Sequence, residues 1–295
     1  MRFMKGHAMK TIDTILRNDT PHWVGDGFPV RSLFSYQRDT AAISPFLLFD
    51  YAGPWTFEPV EGHRRGVGEH PHKGFETVTI VYDGEVSHRD STGGGGTIGT
   101  GEVQWMTAGS GVLHEEFHSP GYAKTGGPFR MVQLWVNLPA KDKLTPARYQ
   151  AITRDMIGEV ALYGARVRVI AGEFEGTKGP ASTFTPINLW DVRLAADARI
   201  TLPLPQGHTS MIAVLSGHVT IDGRGVREAE IARLSRSGNG VAITADGDAM
   251  LLVMTGEPID EPVFGHGPFV MNSEAEIREA IADFNAGKFG ALVSA

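Results

Sequence analysis

The feature that most constrains this chain is its punctuation. Thirty-seven Gly and 17 Pro are spread along 295 residues and cut it into short runs rich in Val, Ile, Thr, Phe and Tyr. Runs of that length and composition, bounded by turn formers, read as β-strands rather than helices. The clearest cover residues 75–82, 102–106, 129–137, 166–171, 210–215 and 249–254. A 3.6-residue period is best developed over 273–284, where Ser273 suits the N-cap, Glu276 completes a capping box, and Ile277, Ala280, Ile281 and Phe284 share a face. The expected class is all-β with a short C-terminal helix.

Two segments of the chain resemble each other. IVYDGEVSHRD at 80–90 matches AVLSGHVTIDG at 213–223 when Gly84 is laid on Gly217, an offset of 133 residues. In both, an apolar run meets a Gly turn and a strand resumes with Val two residues on. An offset of nearly half the chain predicts two copies of one β-domain joined near 139–149. The expected division is 1–145 and 146–295.

Composition then removes several classes of function. Lys and Arg total 27 against 34 Asp and Glu, a net charge of −7, which argues against nucleic-acid or membrane binding through a basic face. The chain has no Cys, so disulfides, thiolate metal sites and cysteine nucleophiles are all excluded, and any metal must be held by His, Asp or Glu. The amino terminus lacks the apolar core of a signal peptide, and apolar runs such as 249–254 are of strand length, so a cytoplasmic protein without a membrane span is expected. Met1, Met4 and Met9 each suit a start, which makes the first eight residues a poorly ordered extension with no function assigned.

The chemistry is concentrated in two short segments. In His70-Pro71-His72 the imidazoles are two residues apart, and on an extended backbone they share a face. Glu76 follows at the same parity if the strand stays regular. About 40 residues later, His114-Glu115-Glu116 repeats the device, with His114 and Glu116 on one face and Glu115 on the other. Gly84, Gly93 to Gly96, Gly99, Gly101, Gly109 and Gly111 lie between and allow strands to fold back and bring both segments into one interior. Three imidazoles with one carboxylate suit Fe(II), Mn(II), Ni(II), Cu(II) or Zn(II). Other motifs carry less: Phe75, Trp105, Met106 and Phe117 read as core, the Gly93 to Gly96 run lacks the P-loop pattern, and Ser91 and Ser110 have no identifiable base and oxyanion arrangement.

These residues carry a family resemblance. His70-x-His72-x3-Glu76 running to Gly84 resembles the first motif of the cupin superfamily, and Gly109-Ser110-Gly111-x2-His114 resembles the second, with Gly109 in place of the usual Pro. HPHKGFETVTIVYDGEVSHRDSTGGGG, GEVQWMTAGSGVLHEE, QLWVNLPA and GPFVMNSEAEI more specifically resemble the pirin family, and the similarity extends over nearly the whole chain. The resemblance implies a bicupin: two antiparallel β-barrel (jelly-roll) domains. It implies iron, held by His70, His72, His114 and Glu116, with Glu76 as an alternative ligand or as a group that orients one. Taken alone, the HPH segment reads equally well as two loop imidazoles and Glu116 as a solvated carboxylate; spacing and resemblance together favour the metal site.

At the 133-residue offset, His70, His72 and Glu76 fall on Pro203, Pro205 and Thr209, which predicts a second cupin without an ion. The activity implied is an iron-dependent dioxygenase that cleaves a flavonol such as quercetin with O2, Glu116 or Glu76 acting as general base. Another phenolic substrate would call on the same chemistry. The competing reading is a non-enzymatic iron protein whose oxidation state alters a surface used by a protein partner. No direct nucleic-acid contact is expected.

Overall fold

The computed structural model describes residues 8–292, so the expected N-terminal extension lies, apart from Ala8, outside the described residues. In chain order the strands of the first half are β1 (Ile12–Arg17), β2 (His22–Val24), β3 (Phe28–Ser35), β4 (Phe46–Phe57), β5 (Gly66–His72), β6 (Phe75–Asp83), β7 (Glu85–Asp90), β8 (Gly95–Gly99), β9 (Val103–Thr107), β10 (Val112–His118), β11 (Gly127–Asn137) and β12 (Arg148–Ile152). The second half adds β13 (Gly158–Leu162), β14 (Ala165–Ala171), β15 (Glu173–Phe174), β16 (Thr177–Lys178), β17 (Ile187–Leu194), β18 (Arg199–Pro203), β19 (Thr209–Ser216), β20 (His218–Ile221), β21 (Arg224–Arg227), β22 (Glu230–Leu234), β23 (Gly240–Ala245), β24 (Ala249–Gly256), β25 (Phe264–His266) and β26 (Phe269–Met271). Helices α1 (Tyr36–Ile43), α2 (Pro120–Thr125) and α3 (Glu274–Asn285) and two single-turn 3-10 helices, Ala140–Asp142 and Arg154–Met156, complete the described secondary structure. Each of the six strands expected from the sequence is present. None of the helices is long and apolar enough to cross a membrane.

The chain divides into two compact units: one takes residues up to 18, 41–45 and 155–258, the other 19–40, 46–154 and 259 onward. Each is built from one seven-stranded and one four-stranded antiparallel sheet. In the unit containing 46–154 the orders are β12-β9-β6-β11-β4-β3-β2 and β5-β10-β7-β8; in the other they are β1-β22-β19-β24-β17-β14-β13 and β18-β23-β20-β21. Strand for strand the two orders correspond, as the repeat predicts, and the class is all-β with two cupin domains. The expected cut at 145 is linear, whereas the observed units take their terminal segments from opposite ends of the chain. β1 pairs with β22, with Ile12 opposite Leu234, and so fills the edge position that β12 fills beside β9. The C-terminal residues pack instead with the unit of 46–154, through Phe269, Ala280 and Phe289 against Leu113.

Helix α3 forms where its caps place it. The Ser273 hydroxyl accepts the Glu276 N–H at 3.2 Å, while the Glu276 carboxylate reaches back to the Asn272 N–H at 3.0 Å, satisfying N–H groups that have no partner within the helix.

What fills the two interiors differs. The unit of 155–258 packs Ile200, Leu202, Ile212, Val214, Val219, Ile221, Val241 and Ile243 into one contiguous hydrophobic cluster, and each fully buried aliphatic side chain of this kind contributes about 1.5–3 kcal/mol. Pro203 closes β18 and Thr209 opens β19, and the neighbouring Leu202 and Leu204 belong to that cluster. In the unit of 46–154, imidazole and carboxyl groups are buried on the corresponding strands: His72, His88, His114 and Glu116 are each at most 6% exposed.

Candidate metal centre

The centre begins with a hydrogen-bonded pair of strands. β5 is the edge of its sheet and pairs antiparallel with β10, His114 lying directly opposite His70 and Val112 opposite His72. An edge tolerates Pro71, whose missing N–H would break a ladder in a central strand. Because side chains alternate, Pro71 turns away and both flanking imidazoles face the sheet's inner side with His114.

The three rings converge. Their centroids are 4.7 Å (His70 to His72), 5.3 Å (His70 to His114) and 5.7 Å (His72 to His114) apart, and one nitrogen from each lies within 4.8 Å of the others. Burial lowers the basicity of all three, and for His72 and His114 it does so well below the usual imidazole range, reinforced by the neighbouring imidazoles. The rings are therefore neutral, the form that ligates a cation. His70 donates its Nδ1 proton to the Gly68 carbonyl at 2.8 Å, which leaves Nε2 as its lone-pair nitrogen. Both ring nitrogens of His72 and Nδ1 of His114 are buried without a hydrogen-bond partner. Each such orphan costs about 1–3 kcal/mol, and a cation accepting the one lone pair that each neutral ring carries offsets part of that cost. The donor set fits a divalent first-row ion.

Glu116 stands beside this triad. Its Oε1 is 3.9 Å from His114 Nε2 and accepts a hydrogen bond from the Thr79 hydroxyl at 3.3 Å. Burial pushes the carboxyl up to about 7, against the opposing Thr79 bond. Glu115 points to the other face, as the alternation requires, and pairs with Arg89 at 2.5 Å and Arg64 at 3.2 Å.

Glu76 is not with the triad, and the reason lies in two residues. The extended run stops after His72; Gly74 takes φ +88° before β6 begins at Phe75, which resets the parity. On β6 it is Thr79 that reaches Glu116, so Glu76, an odd number of positions away on a regular strand, projects to the opposite face. There its carboxyl accepts from Thr107 Oγ1 at 2.7 Å, and Arg148 donates to the same hydroxyl at 3.3 Å. Burial pushes the Glu76 carboxyl up to about 7.

The sequence reading passed over His88. It lies on β7 directly opposite Glu116, buried on the same inner face, with its ring 6.1 Å from that of His114. Its Nε2 is 2.6 Å from the Tyr149 hydroxyl, and burial pushes the imidazole down to about 4. The alternation in Val86-Ser87-His88-Arg89-Asp90, buried at every second residue, was the available signal. Gln104 Nε2 lies 3.5 Å from His114 Nε2, and Trp135 packs edge-on against His72 with ring centroids 5.7 Å apart. Phe75, Trp105 and Met106 are fully buried, as expected of core, while Phe117 lies under the Arg64 guanidinium.

Comparison with known proteins identifies the family. The Pirin family model matches residues 27–136 and the model of the Pirin C-terminal cupin domain matches 189–290. A Pseudomonas aeruginosa protein named "Putative quercetin 2,3-dioxygenase PA2418" is 54% identical over 95% of this chain and 99% of its own length. Human Pirin is 36% identical over 84% of this chain and 83% of its own. The crystal structure of quercetin 2,3-dioxygenase from Acinetobacter baumannii superposes with a TM-score of 0.94 at 55% identity, covering 97% of this chain and all of that one. The chain belongs to the pirin family.

Proposed function

We propose that this protein is a metal-dependent dioxygenase of the cytoplasm that opens a flavonol such as quercetin with O2 and releases carbon monoxide, with Fe(II) as its resident ion. The observation that carries the reading is the convergence of three neutral imidazoles, His72 and His114 buried and His70 half-buried, with both ring nitrogens of His72 and Nδ1 of His114 lacking a partner and the Glu116 carboxyl beside them. The names of close relatives supply the substrate class. When bound, a divalent ion supplies Lewis-acid stabilisation of the substrate's deprotonated hydroxyl and access to dioxygen chemistry.

The chain's own residues do the rest. His70, His72, His114 and Glu116 form the ligand set, and burial keeps the imidazoles free of protons at neutral pH. Glu116 sits on the triad's side of the sheets beside His114, within reach of a substrate held at the ion, and it accepts the proton of the flavonol hydroxyl. Glu76, on the opposite face and engaged by Thr107, takes no part. Trp135 and Phe75 pack against His72 and limit water beside it.

The test is direct. Purified protein loaded with Fe(II) is given quercetin and O2, and consumption of both is followed with carbon monoxide release; turnover is expected, and a His72→Ala variant should abolish it. A fully loaded wild-type protein that leaves quercetin intact contradicts the reading and favours the non-enzymatic alternative.

A further inference from the structure

The strand that carries His70 and His72 is an edge, bonded along one side only, and Pro71 cannot donate to a ladder. Its end is held by the C-terminal segment. Lys73, next to His72, donates its N–H to the Pro268 carbonyl at 3.1 Å and accepts the Val270 N–H at 3.0 Å. The Lys73 ammonium lies 2.8 Å from the Asp283 carboxylate of α3 and above the Phe289 ring, the two charged side chains being 6% and 15% exposed.

The same segment reaches the second ligand strand. Leu113, next to His114, packs with Phe269, Ala280 and Phe289. The Ser91 hydroxyl accepts the Leu113 N–H at 3.0 Å and donates to the Phe289 carbonyl. At Gly111 a side chain would meet the Phe289 ring at 2.4 Å, so the close approach requires glycine there. The segment 268–289 supplies no member of the histidine triad, yet it grips the residue beside His72 and the residue beside His114.

We propose that this C-terminal strap positions the two ligand strands and thereby sets the metal affinity of the centre, with Asp283 and Ser91 as its positioning residues. The proposal rests on the reading of the triad as a metal centre. An ion pair with both side chains largely buried joins the Lys73 backbone bonds to Pro268 and Val270 in fixing the end of this edge strand; loss of groups that bond a metal ligand directly commonly lowers affinity by about 10- to 100-fold, and the strap, one residue further out, is expected to act at the low end of that range.

The experiment titrates metal-free protein with Co(II) alone, reading both the dissociation constant and the visible absorption spectrum of the bound ion. Asp283→Ala is expected to weaken binding about tenfold and alter the spectrum. Asp283→Glu should restore both, and Ser91→Ala should weaken binding in the same direction. Lys288→Ala, which removes the exposed partner of the same carboxylate, should leave both unchanged. Wild-type affinity and spectrum in Asp283→Ala and Ser91→Ala, even with lowered melting temperatures, would overturn the proposal. A wild-type protein that takes up no Co(II) would overturn the metal centre itself, and the strap's role with it.

Discussion

His70 and His114 are direct cross-strand partners whose ring centroids lie 5.3 Å apart. Two imidazoles so placed cannot both carry charge without mutual repulsion, and a third, His72, is 4.7 Å from the first. Burial acts in the same direction. The arrangement stores unpartnered lone pairs inside a β-sandwich, and the consequences for stability, metal uptake and pH can each be measured.

His72 has both ring nitrogens buried and unpartnered. Replacing it with an apolar residue of similar volume, His72→Leu, should leave metal-free protein as stable as wild type or more so, by up to about 1–3 kcal/mol. The same change should lower metal occupancy at least tenfold and remove the stabilisation that metal gives wild type. Thermal unfolding with and without metal checks both halves; a metal-free His72→Leu protein much less stable than wild type would show that the imidazole has an unrecognised partner.

Metal uptake should depend on pH through Glu116. Its carboxyl sits near 7 in the metal-free protein, so below that pH an incoming ion must displace a proton, and the apparent affinity falls as pH falls. Above about 7 the affinity should level off. The imidazoles are all shifted downward, His72 and His114 well below the usual imidazole range, so the proton released near neutrality is that of Glu116. Metal titrations across this interval should therefore show release of about one proton per ion on the acid side, and Glu116→Gln should abolish the dependence along with much of the affinity. Release of two or three protons near the ordinary imidazole range would contradict neutral histidines.

The triad was legible in the sequence because it depends only on alternation within two strands, and His70-Pro71-His72 and His114-Glu115-Glu116 each keep a period of two. Glu76 was left open between ligand and orienting group because its parity held only for a regular strand, and Gly74, a left-handed residue, ends one strand there and starts the next. His88 obeys the same alternation as the ligands, but its burial depends on β7 pairing with β10, a long-range fact that a single strand does not encode. The likeness of the two halves followed from the repeat, though not the strand orders themselves, and α3 followed from its Ser273 cap. The pairing of β1 with β22 did not follow, since a six-residue edge strand has no local mark of the sheet it will join.

Glu76 provides a pH test independent of metal. Its carboxyl is raised from 4.5 to about 7 in the folded protein, so the folded state holds this proton more tightly than the unfolded chain. That contribution to stability is fully present below about pH 4.5 and is lost as pH rises to about 7. Its size is on the order of 3 kcal/mol. Glu76→Gln should remove this share of the dependence, leaving the comparable share of the Glu116 carboxyl in metal-free protein, and should keep metal content and turnover intact, because the side chain faces away from the triad. Denaturant unfolding at several pH values and elemental analysis of the variant measure the two effects; loss of bound metal in Glu76→Gln would return this residue to the centre.

Tyr149 and His88 should behave as a structural pair next to the ligands. Tyr149→Phe leaves His88 Nε2 buried without its 2.6 Å partner, at a cost of about 1–3 kcal/mol. Metal stoichiometry should stay at one per chain, as elemental analysis would show. An unchanged unfolding free energy would mean that the hydroxyl and the imidazole are not bonded in solution.

The central claim is that a single divalent ion sits among His70, His72 and His114. Anomalous diffraction from crystals of metal-loaded protein, collected at the absorption edge of the metal, tests it most directly. The account predicts one anomalous peak per chain, about 2.1 Å from a nitrogen of each imidazole and with Glu116 in its coordination shell. A loaded crystal with no peak at these rings, or with its peak in the sandwich of residues 155–258, would contradict it.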